Sequence, residues 1–195
     1  IEPVALISHP NEGLDRFEDL PKSTAFISNS FLVSAWRWLK KAYGFRDENV
    51  KNYAFNAAPF ITDRKSIQQA YVTSEPYAIE TQGGFKPNVF MLSDYGYDSY
   101  GTTIETRADL IAKNPDLVQR FVDASIIGWR HYLYGDNAAA NAAIKKDNPD
   151  ISDEQIAFSI AKMKEYGIVD SGDTLSRGIG AMSDERVKSF FDKMV

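Results

Sequence analysis

Short apolar segments alternate with helical segments over the first 75 residues, and this alternation restricts the possible folds more than any other feature of the sequence. Residue types and loop signals predict four strands here, at Val4–Ser8, Thr24–Ile27, Val50–Phe55 and Gln69–Thr73. Helices are predicted between them at Phe31–Tyr43 and Asp63–Ile67. Strands that alternate with helices favour an α/β fold with a mainly parallel sheet.

The helix predicted at Phe31–Tyr43 has signals at both of its ends. Ser28, Asn29 and Ser30 precede it, and each of them is a favoured N-cap residue. Gly44 follows it and suits the C′ position, where a left-handed backbone conformation is common. The apolar residues of the segment recur at helical spacing, at Leu32, Ala35, Trp36, Leu39 and Tyr43.

At about residue 105 the alternation gives way to successive helices, and this is the clearest boundary in the chain. Strands are predicted before it at Val89–Leu92 and Thr102–Glu105. Helices are predicted after it at Arg107–Lys113, Pro115–Tyr134, Asn137–Lys146, Ser152–Tyr166 and Ser183–Met194. Ser152 with Gln155 has the capping-box form. The long second helix has one apolar face, which is formed by Leu117, Phe121, Ala124, Ile127 and Gly128.

The composition excludes several classes of protein and of site. The net charge of −5 argues against a nucleic-acid binder, and the lack of cysteine excludes disulfides, thiolate metal sites and cysteine nucleophiles. Two distant histidines, His9 and His131, give no basis for a metal site. No apolar run approaches the ~20 residues of a membrane span. The chain opens within an apolar segment and without Met, which predicts a processed or truncated product.

Three segments carry residues suited to binding a ligand. Ser28, Asn29 and Ser30 lie between a strand and a helix, where an α/β sheet presents its ligands, although simple capping explains them equally well. Glu75 and Tyr77 follow a predicted strand end and offer a carboxylate and a phenol, unless they belong to a solvated loop.

The third segment is rich in tyrosine and glycine. Tyr95, Tyr97 and Tyr100 fall within residues 94–102, and Thr102 closes the segment. Tyrosine stacks on flat rings and has a hydroxyl at its edge, while glycine allows the backbone to approach a ligand closely. The pattern favours an aromatic ligand over the alternative of a tyrosine-rich surface loop.

Several motifs, in this order along the chain, resemble the substrate-binding proteins of ABC importers in the nitrate, sulfonate and thiamine-pyrimidine-precursor group. The motifs are Phe17–Leu20, Thr24–Ser30, Ser74–Tyr77, Ala112–Pro115, Val118–Ala124 and Gly128–Trp129. The Asn-Pro pair followed by Gly-Trp is most similar to the branch that binds thiamine pyrimidine precursors.

The resemblance implies a two-lobed α/β fold of the type II periplasmic-binding-protein class, with lobes that close on a ligand about a hinge. Residues 1–8 would form a crossing strand of lobe one, residues 9–74 the second lobe, and residues 75–195 the later, helix-rich part of lobe one. The opening part of lobe one has no counterpart in this chain. Related enzymes of thiamine pyrimidine synthesis carry a cysteine-rich run where this chain has Tyr97–Thr102, which weighs against an enzyme.

The resemblance therefore predicts an extracytoplasmic solute-binding component of an ABC transporter, periplasmic or lipid-anchored, without cofactor or catalytic residues. Its ligand would be a small flat heterocycle, such as a pyrimidine precursor or a flavin-like ring, and its partner a transporter permease. One alternative is an oxyanion receptor for sulfonate or nitrate, with Arg64 and Arg107 as candidate cations. Another is an enzyme that uses Glu75, Asp94 or Asp98 as a general base.

Overall fold

A five-stranded mixed sheet organises the first half of the chain in the computed structural model, which describes residues 1–195. The strands are β1 (Val4–Ser8), β2 (Thr24–Ile27), β3 (Val50–Asn52), β4 (Ser66–Tyr71) and β5 (Asn88–Met91). Their order across the sheet is β3-β2-β4-β1-β5. The α/β class that the alternation predicted is confirmed.

One strand runs against the other four. β2 pairs in parallel with β3 and β4, whereas β1 pairs antiparallel with both β4 and β5. The sheet is therefore mixed. The prediction of a mainly parallel sheet holds for the β2–β3 and β2–β4 pairs and not for the two pairs that β1 forms. Every residue of β1 is buried, because the strand has neighbours on both edges and packing on both faces.

The helix predicted at Phe31–Tyr43 is wrong in one respect, because it is broken into α1 (Asn29–Leu32) and α2 (Ala35–Tyr43). Ser34 lies at the break with φ −119° and ψ −106°, outside the helical region. Its hydroxyl donates to the Ser30 carbonyl at 2.8 Å, a local bond that competes with helix continuation. Gly44 ends α2 with φ 73°, which confirms the predicted glycine stop.

Two predictions near proline residues are also wrong. The helix expected at Asp63–Ile67 lies earlier, at α3 (Ala58–Thr62), and Ile67 belongs to β4. The solvated loop considered for Glu75 and Tyr77 is instead the first turn of α4 (Glu75–Gly83), where Pro76 stands and the missing N–H of proline has no cost. The strand expected at Thr102–Glu105 is absent, and the backbone there is irregular.

An aromatic core covers one face of the sheet. Phe17, from a 3₁₀ turn at Phe17–Lys22, stacks on Tyr95 with ring centroids 3.8 Å apart. α2 contributes two buried tryptophans, Trp36 and Trp38. Such rings bury large apolar areas and pack with defined geometry, so this cluster fixes α2 and the segment after β5 against the sheet.

The chain divides into two compact units. The first, the sheet unit, comprises Glu2–Ser99 and Asp184–Val195, and the second, the helical unit, comprises Ile1 and Tyr100–Ser183. The last helix, α10 (Asp184–Met194), belongs to the sheet unit, where Phe190 contacts the edge of the Tyr97 ring and Lys193 pairs with Asp98 at 2.6 Å. The assignment of residues to two lobes stays a prediction.

The helical unit contains five helices: α5 (Ala108–Lys113), α6 (Pro115–Tyr134), α7 (Ala138–Asp147), α8 (Asp153–Glu165) and α9 (Thr174–Arg177). The Ser152 hydroxyl accepts the Gln155 N–H at 3.1 Å, which confirms the predicted N-cap of α8. The apolar face predicted for α6 is exposed at Leu117, Phe121 and Ile127. None of the helices has both the length and the hydrophobicity to cross a bilayer.

Candidate functional site

The carboxyl ends of four strands meet at one edge of the sheet. β2, β3, β4 and β5 share a direction, and the reversed strand β1 brings its amino end to the same place. We call this edge, with the residues that directly follow β2–β5 or precede β1, the carboxyl edge. Ligands of open α/β sheets bind in this position because loops and helix starts leave polar groups free there.

The segment Ser28–Ser30 follows β2 at the carboxyl edge. Ser28 is buried, its N–H donates to Gln69 Oε1 at 2.6 Å, and its hydroxyl accepts the Phe31 N–H at 3.4 Å. Asn29 and Ser30 are exposed. Since α1 has only four residues, it offers little helix dipole to an anion. Ser28 therefore acts as a cap in this structure, and Asn29 and Ser30 present their side chains to solvent.

Glu75 follows β4 and is held by two donors at the carboxyl edge. Its Oε2 accepts the Tyr71 N–H at 2.8 Å, and its Oε1 accepts the Tyr53 hydroxyl at 3.3 Å. Burial raises the pKa of Glu75, although both of these hydrogen bonds oppose the shift. No ion pair of the structure includes Glu75. The site thus has an acceptor of hydrogen bonds that no cation neutralises.

A second carboxyl group, Glu2, precedes β1 at the same edge. Burial raises the pKa of Glu2, while a hydrogen bond from Ser99 lowers it. Tyr71, the last residue of β4, is 49% exposed. Burial and the nearby charges of Glu2 and Glu75 raise the pKa of the Tyr71 phenol. The phenol and the two carboxyl groups therefore form one cluster.

Tyr97 follows β5 and adjoins this cluster from the aromatic core. It is only 4% exposed, and its ring lies 5.3 Å from that of Trp38. Burial, with the charges of Glu2 and Tyr71, raises the pKa of Tyr97 to about 12. Tyr97 and Glu75, which are 22 residues apart in the sequence, are thus brought to the same edge.

The remaining predicted residues lie in different surroundings. Tyr95 stacks on Phe17, so one face of its ring is covered. Tyr77 is half-buried in the first turn of α4. Tyr100 and Thr102 belong to the helical unit, where the Tyr100 hydroxyl donates to Asp173 and accepts the Ser183 N–H at 2.9 Å. The exposed Thr102 has a left-handed backbone, with φ 51°.

Sequence reasoning missed three aromatic residues at the carboxyl edge: Tyr53, Phe55 and Tyr71. Tyr53 and Phe55 were included in a predicted strand, but β3 ends at Asn52 and both residues follow it. Burial and the charge of Glu75 raise the pKa of Tyr53. The sheet order, which local sequence patterns do not reveal, brings Tyr53 next to Glu75, whereas Tyr71 is only four residues before Glu75.

The two arginines considered for an oxyanion lie elsewhere. Arg64 precedes β4, hence at the opposite edge of the sheet, and its guanidinium bonds to Glu12 at 2.7 Å. It lines a cavity of about 310 Å³ there, together with His9 and Phe85. The His9 ring stacks on Phe85 and its Nε2 lies 2.7 Å from the Phe60 carbonyl oxygen, so His9 has a packing role. Arg107 belongs to the helical unit and pairs with Asp109.

Comparison with known proteins gives two findings. Residues 1–140 match the protein family described as NMT1/THI5 like. Over 148 residues the chain is 27% identical to the riboflavin-binding protein RibY of Chloroflexus aurantiacus. This match covers 73% of the chain but 42% of RibY, so the chain spans about two fifths of that relative's length. The family match includes β1–β5 and every residue of the carboxyl edge described above.

Proposed function

Because the chain belongs to the NMT1/THI5 like family, we propose that it is part of an extracytoplasmic solute-binding protein that delivers a small flat heterocycle to an ABC transporter permease. The ligand class comprises pyrimidine precursors, flavin-like rings and similar compounds. The name of the relative RibY, which refers to riboflavin binding, supports this class. The two-lobed type II architecture and the periplasmic or lipid-anchored location belong to the same proposal.

The observation that carries the proposal is the carboxyl group of Glu75, which no cation neutralises, among aromatic residues at the carboxyl edge. Tyr53 donates to Glu75 at 3.3 Å, and Tyr71 lies close enough for its pKa to respond to the Glu75 charge. A flat ring fits such a site because aromatic faces accept stacking, while its N–H groups donate to the carboxylate. Asn29 and Ser30 add exposed polar groups after β2, while Tyr97, after β5, is buried and supports the site from the aromatic core.

Binding without chemistry is favoured over an enzymatic role. Of the three carboxylates considered as a general base, Asp94 is exposed and Asp98 is paired with Lys193 at 2.6 Å. Glu75 is held by hydrogen-bond donors, and no histidine or lysine bonds to it. A general base works with a partner that orients it or exchanges its proton. The arrangement around Glu75 supports recognition of a donor group.

An oxyanion receptor is less well supported. Nitrate and sulfonate need cations or several converging N–H groups, whereas the carboxyl edge has two carboxyl groups of raised pKa, Glu2 and Glu75. Arg64 lies at the opposite edge and is bonded to Glu12. A negative edge repels an anion and attracts a ligand with donor groups.

The test is calorimetric titration of the full-length protein with riboflavin, an aminopyrimidine that carries a hydroxymethyl group, nitrate and taurine. Binding of one of the two ring compounds, with recovery of the unchanged ligand by mass spectrometry, is the expected result. Tight binding of nitrate or taurine alone would contradict the heterocycle class. Conversion of the bound ring compound into a product would contradict the binding role.

A further inference from the structure

Phe55 is an exposed aromatic residue in an unfavourable backbone conformation. Its side chain is 75% exposed, and its φ of 58° lies in the left-handed region. An L-residue other than glycine loses stability in this region because its Cβ approaches the following carbonyl oxygen. The exposed ring gains little from burial in return. Packing within the chain therefore does not account for the conformation of Phe55, and residues held in this way are found at functional sites.

The position of Phe55 is fixed by the residues on both sides of it. Before it, the Tyr53 N–H donates to the Ile27 carbonyl at 3.1 Å and extends the β2–β3 ladder by one residue. After it, Asn56 Oδ1 accepts the Ala58 N–H at 3.0 Å and anchors the loop to the start of α3. Hydrogen bonds thus hold the backbone on both sides of Phe55, at Tyr53 before it and at Asn56 after it.

Phe55 is linked to Glu75 through Tyr53. The rings of Phe55 and Tyr53 lie 5.3 Å apart, and the Tyr53 hydroxyl donates to Glu75. An exposed ring, a phenol and a carboxyl group therefore follow one another along the carboxyl edge. This arrangement suits a flat ligand, because an aromatic ring can stack on the ligand's face while the phenol and the carboxyl group accept hydrogen bonds from its edge.

We infer that Phe55 is a stacking platform for the ligand ring and thereby a determinant of specificity for aromatic heterocycles. The inference rests on the proposed function and assigns a residue that the sequence reading had included in a strand. The Phe55 ring is 75% exposed, so a ligand ring that stacks on it would bury an apolar face. Stability is given up at this position for binding.

Three substitutions test the inference in the full-length protein. Phe55→Tyr keeps an aromatic face, Phe55→Leu keeps only an apolar side chain, and Phe55→Gly removes the side chain and relieves the backbone. Affinities for riboflavin and for the hydroxymethyl aminopyrimidine are measured by calorimetry. Because stacking on an aromatic side chain has a large effect on affinity, Phe55→Leu and Phe55→Gly are expected to weaken binding roughly tenfold and Phe55→Tyr less than about threefold.

Asn11→Gly is the matched control. Asn11 is another non-glycine residue with a left-handed backbone, φ 60°, but it follows β1 and therefore lies at the opposite edge of the sheet. Its substitution is expected to leave both affinities unchanged. Phe55→Gly is expected to unfold at a denaturant concentration no lower than the wild type, so that its loss of binding does not reflect misfolding.

The results separate the inference from the proposed function. Wild-type protein that binds neither ring compound would overturn the proposed function and this inference with it. Wild-type binding that Phe55→Leu retains within about twofold would overturn the inference alone. Equal losses in Phe55→Tyr and Phe55→Leu would also overturn it, because the aromatic face would then have no special role.

Discussion

At the scale of single residues, Glu75 is the residue of the candidate site whose hydrogen bonds and ionisation are most clearly defined. Two donors of the protein hold its carboxyl group, and burial raises its pKa without a compensating cation. A carboxylate in this state gains from an added N–H donor, because each hydrogen bond to a charged group is stronger than one between neutral groups. Ligand binding should therefore depend on the ionisation of this one residue.

The affinity for riboflavin is expected to fall as the pH is lowered from neutral to about pH 5. The ligand imide N–H needs the carboxylate as its acceptor, and the pKa of Glu75 is raised, so protonation removes this acceptor at a higher pH than for an ordinary glutamate. Calorimetry across this range should show a steep dependence for the wild type and a flat one for Glu75→Gln. Riboflavin methylated at the imide nitrogen is the control, and a steep dependence with that ligand would contradict the assigned contact.

Glu75→Gln is also expected to raise the free energy of unfolding at neutral pH. A carboxyl group whose folded-state pKa is raised favours folding below its unfolded pKa, and this contribution is lost as the pH rises through the folded pKa. The amide of glutamine avoids the loss, because its oxygen can accept the Tyr71 N–H while its NH2 group donates to the Tyr53 hydroxyl oxygen. Urea unfolding of both proteins should show a difference near neutral pH that disappears below about pH 4. A less stable variant at neutral pH would contradict the direction of the pKa shift.

Part of the candidate site was predictable from local sequence. Ser28–Ser30 and Glu75 were found because cap residues and polar groups at strand ends have recognisable patterns. Tyr53 and Phe55 were not found, since tyrosine and phenylalanine favour strands and give no sign that β3 ends before them. Their importance comes from the pairing of β3 with β2 and of β2 with β4, which no local pattern encodes.

At the scale of elements, the existence of helices and strands was easier to predict than their bounds. β1 and β2 match their predicted ranges, and α6 begins at Pro115 and ends at Tyr134 as predicted. The wrong predictions lie mostly where one residue type is compatible with two kinds of secondary structure. Proline can end a strand or begin a helix, and Pro59 and Pro76 both stand in a first helical turn. The α1–α2 break lies at the non-helical backbone of Ser34, which periodicity does not reveal.

Two glycine substitutions are expected to change helix stability in opposite directions. Gly44 ends α2 with φ 73°, so Gly44→Ala should lower the free energy of unfolding by about 1–2 kcal/mol. Gly128 lies inside α6 with open space where a Cβ would stand, so Gly128→Ala should raise it by about 0.5–1 kcal/mol. Urea denaturation followed by circular dichroism measures both changes. A stabilising Gly44→Ala would show that α2 ends differently in solution.

At the scale of the whole molecule, the chain crosses between its units more than once. The sheet unit contains Glu2–Ser99, and the chain returns to this unit at Asp184. In this unit Arg186 Nε donates to the Asp98 carbonyl at 2.7 Å and Lys193 Nζ to the Gly96 carbonyl at 3.0 Å, so α10 holds the segment after β5. The predicted boundary near residue 105 lies close to the crossing at Tyr100, but the return of α10 to the sheet unit has no sign in the sequence.

Phe190→Ala is expected to destabilise the sheet unit by about 2 kcal/mol, less than the ~3–5 kcal/mol of a fully buried phenylalanine, because Phe190 is only partly buried. Its ring contacts Tyr97, so amide hydrogen exchange should increase in peptides from β1, β4 and β5. Peptides from α7 and α8 should keep their protection. Phe191→Ala, at a neighbour that is 60% exposed, is the control. Equal increases in both units would show that they unfold together.

The position of β1 inside the sheet, between β4 and β5, has a consequence for the synthesis of the protein. Val4 pairs with Tyr71 and Ser8 with Asn88, so β1 has no partner in this sheet until β4 and β5 have left the ribosome. At translation rates of roughly 5–20 residues per second, this wait is on the order of ten seconds. During that time an uncharged apolar strand is exposed to aggregation. β1 is therefore a segment that a chaperone would protect while the chain is being made.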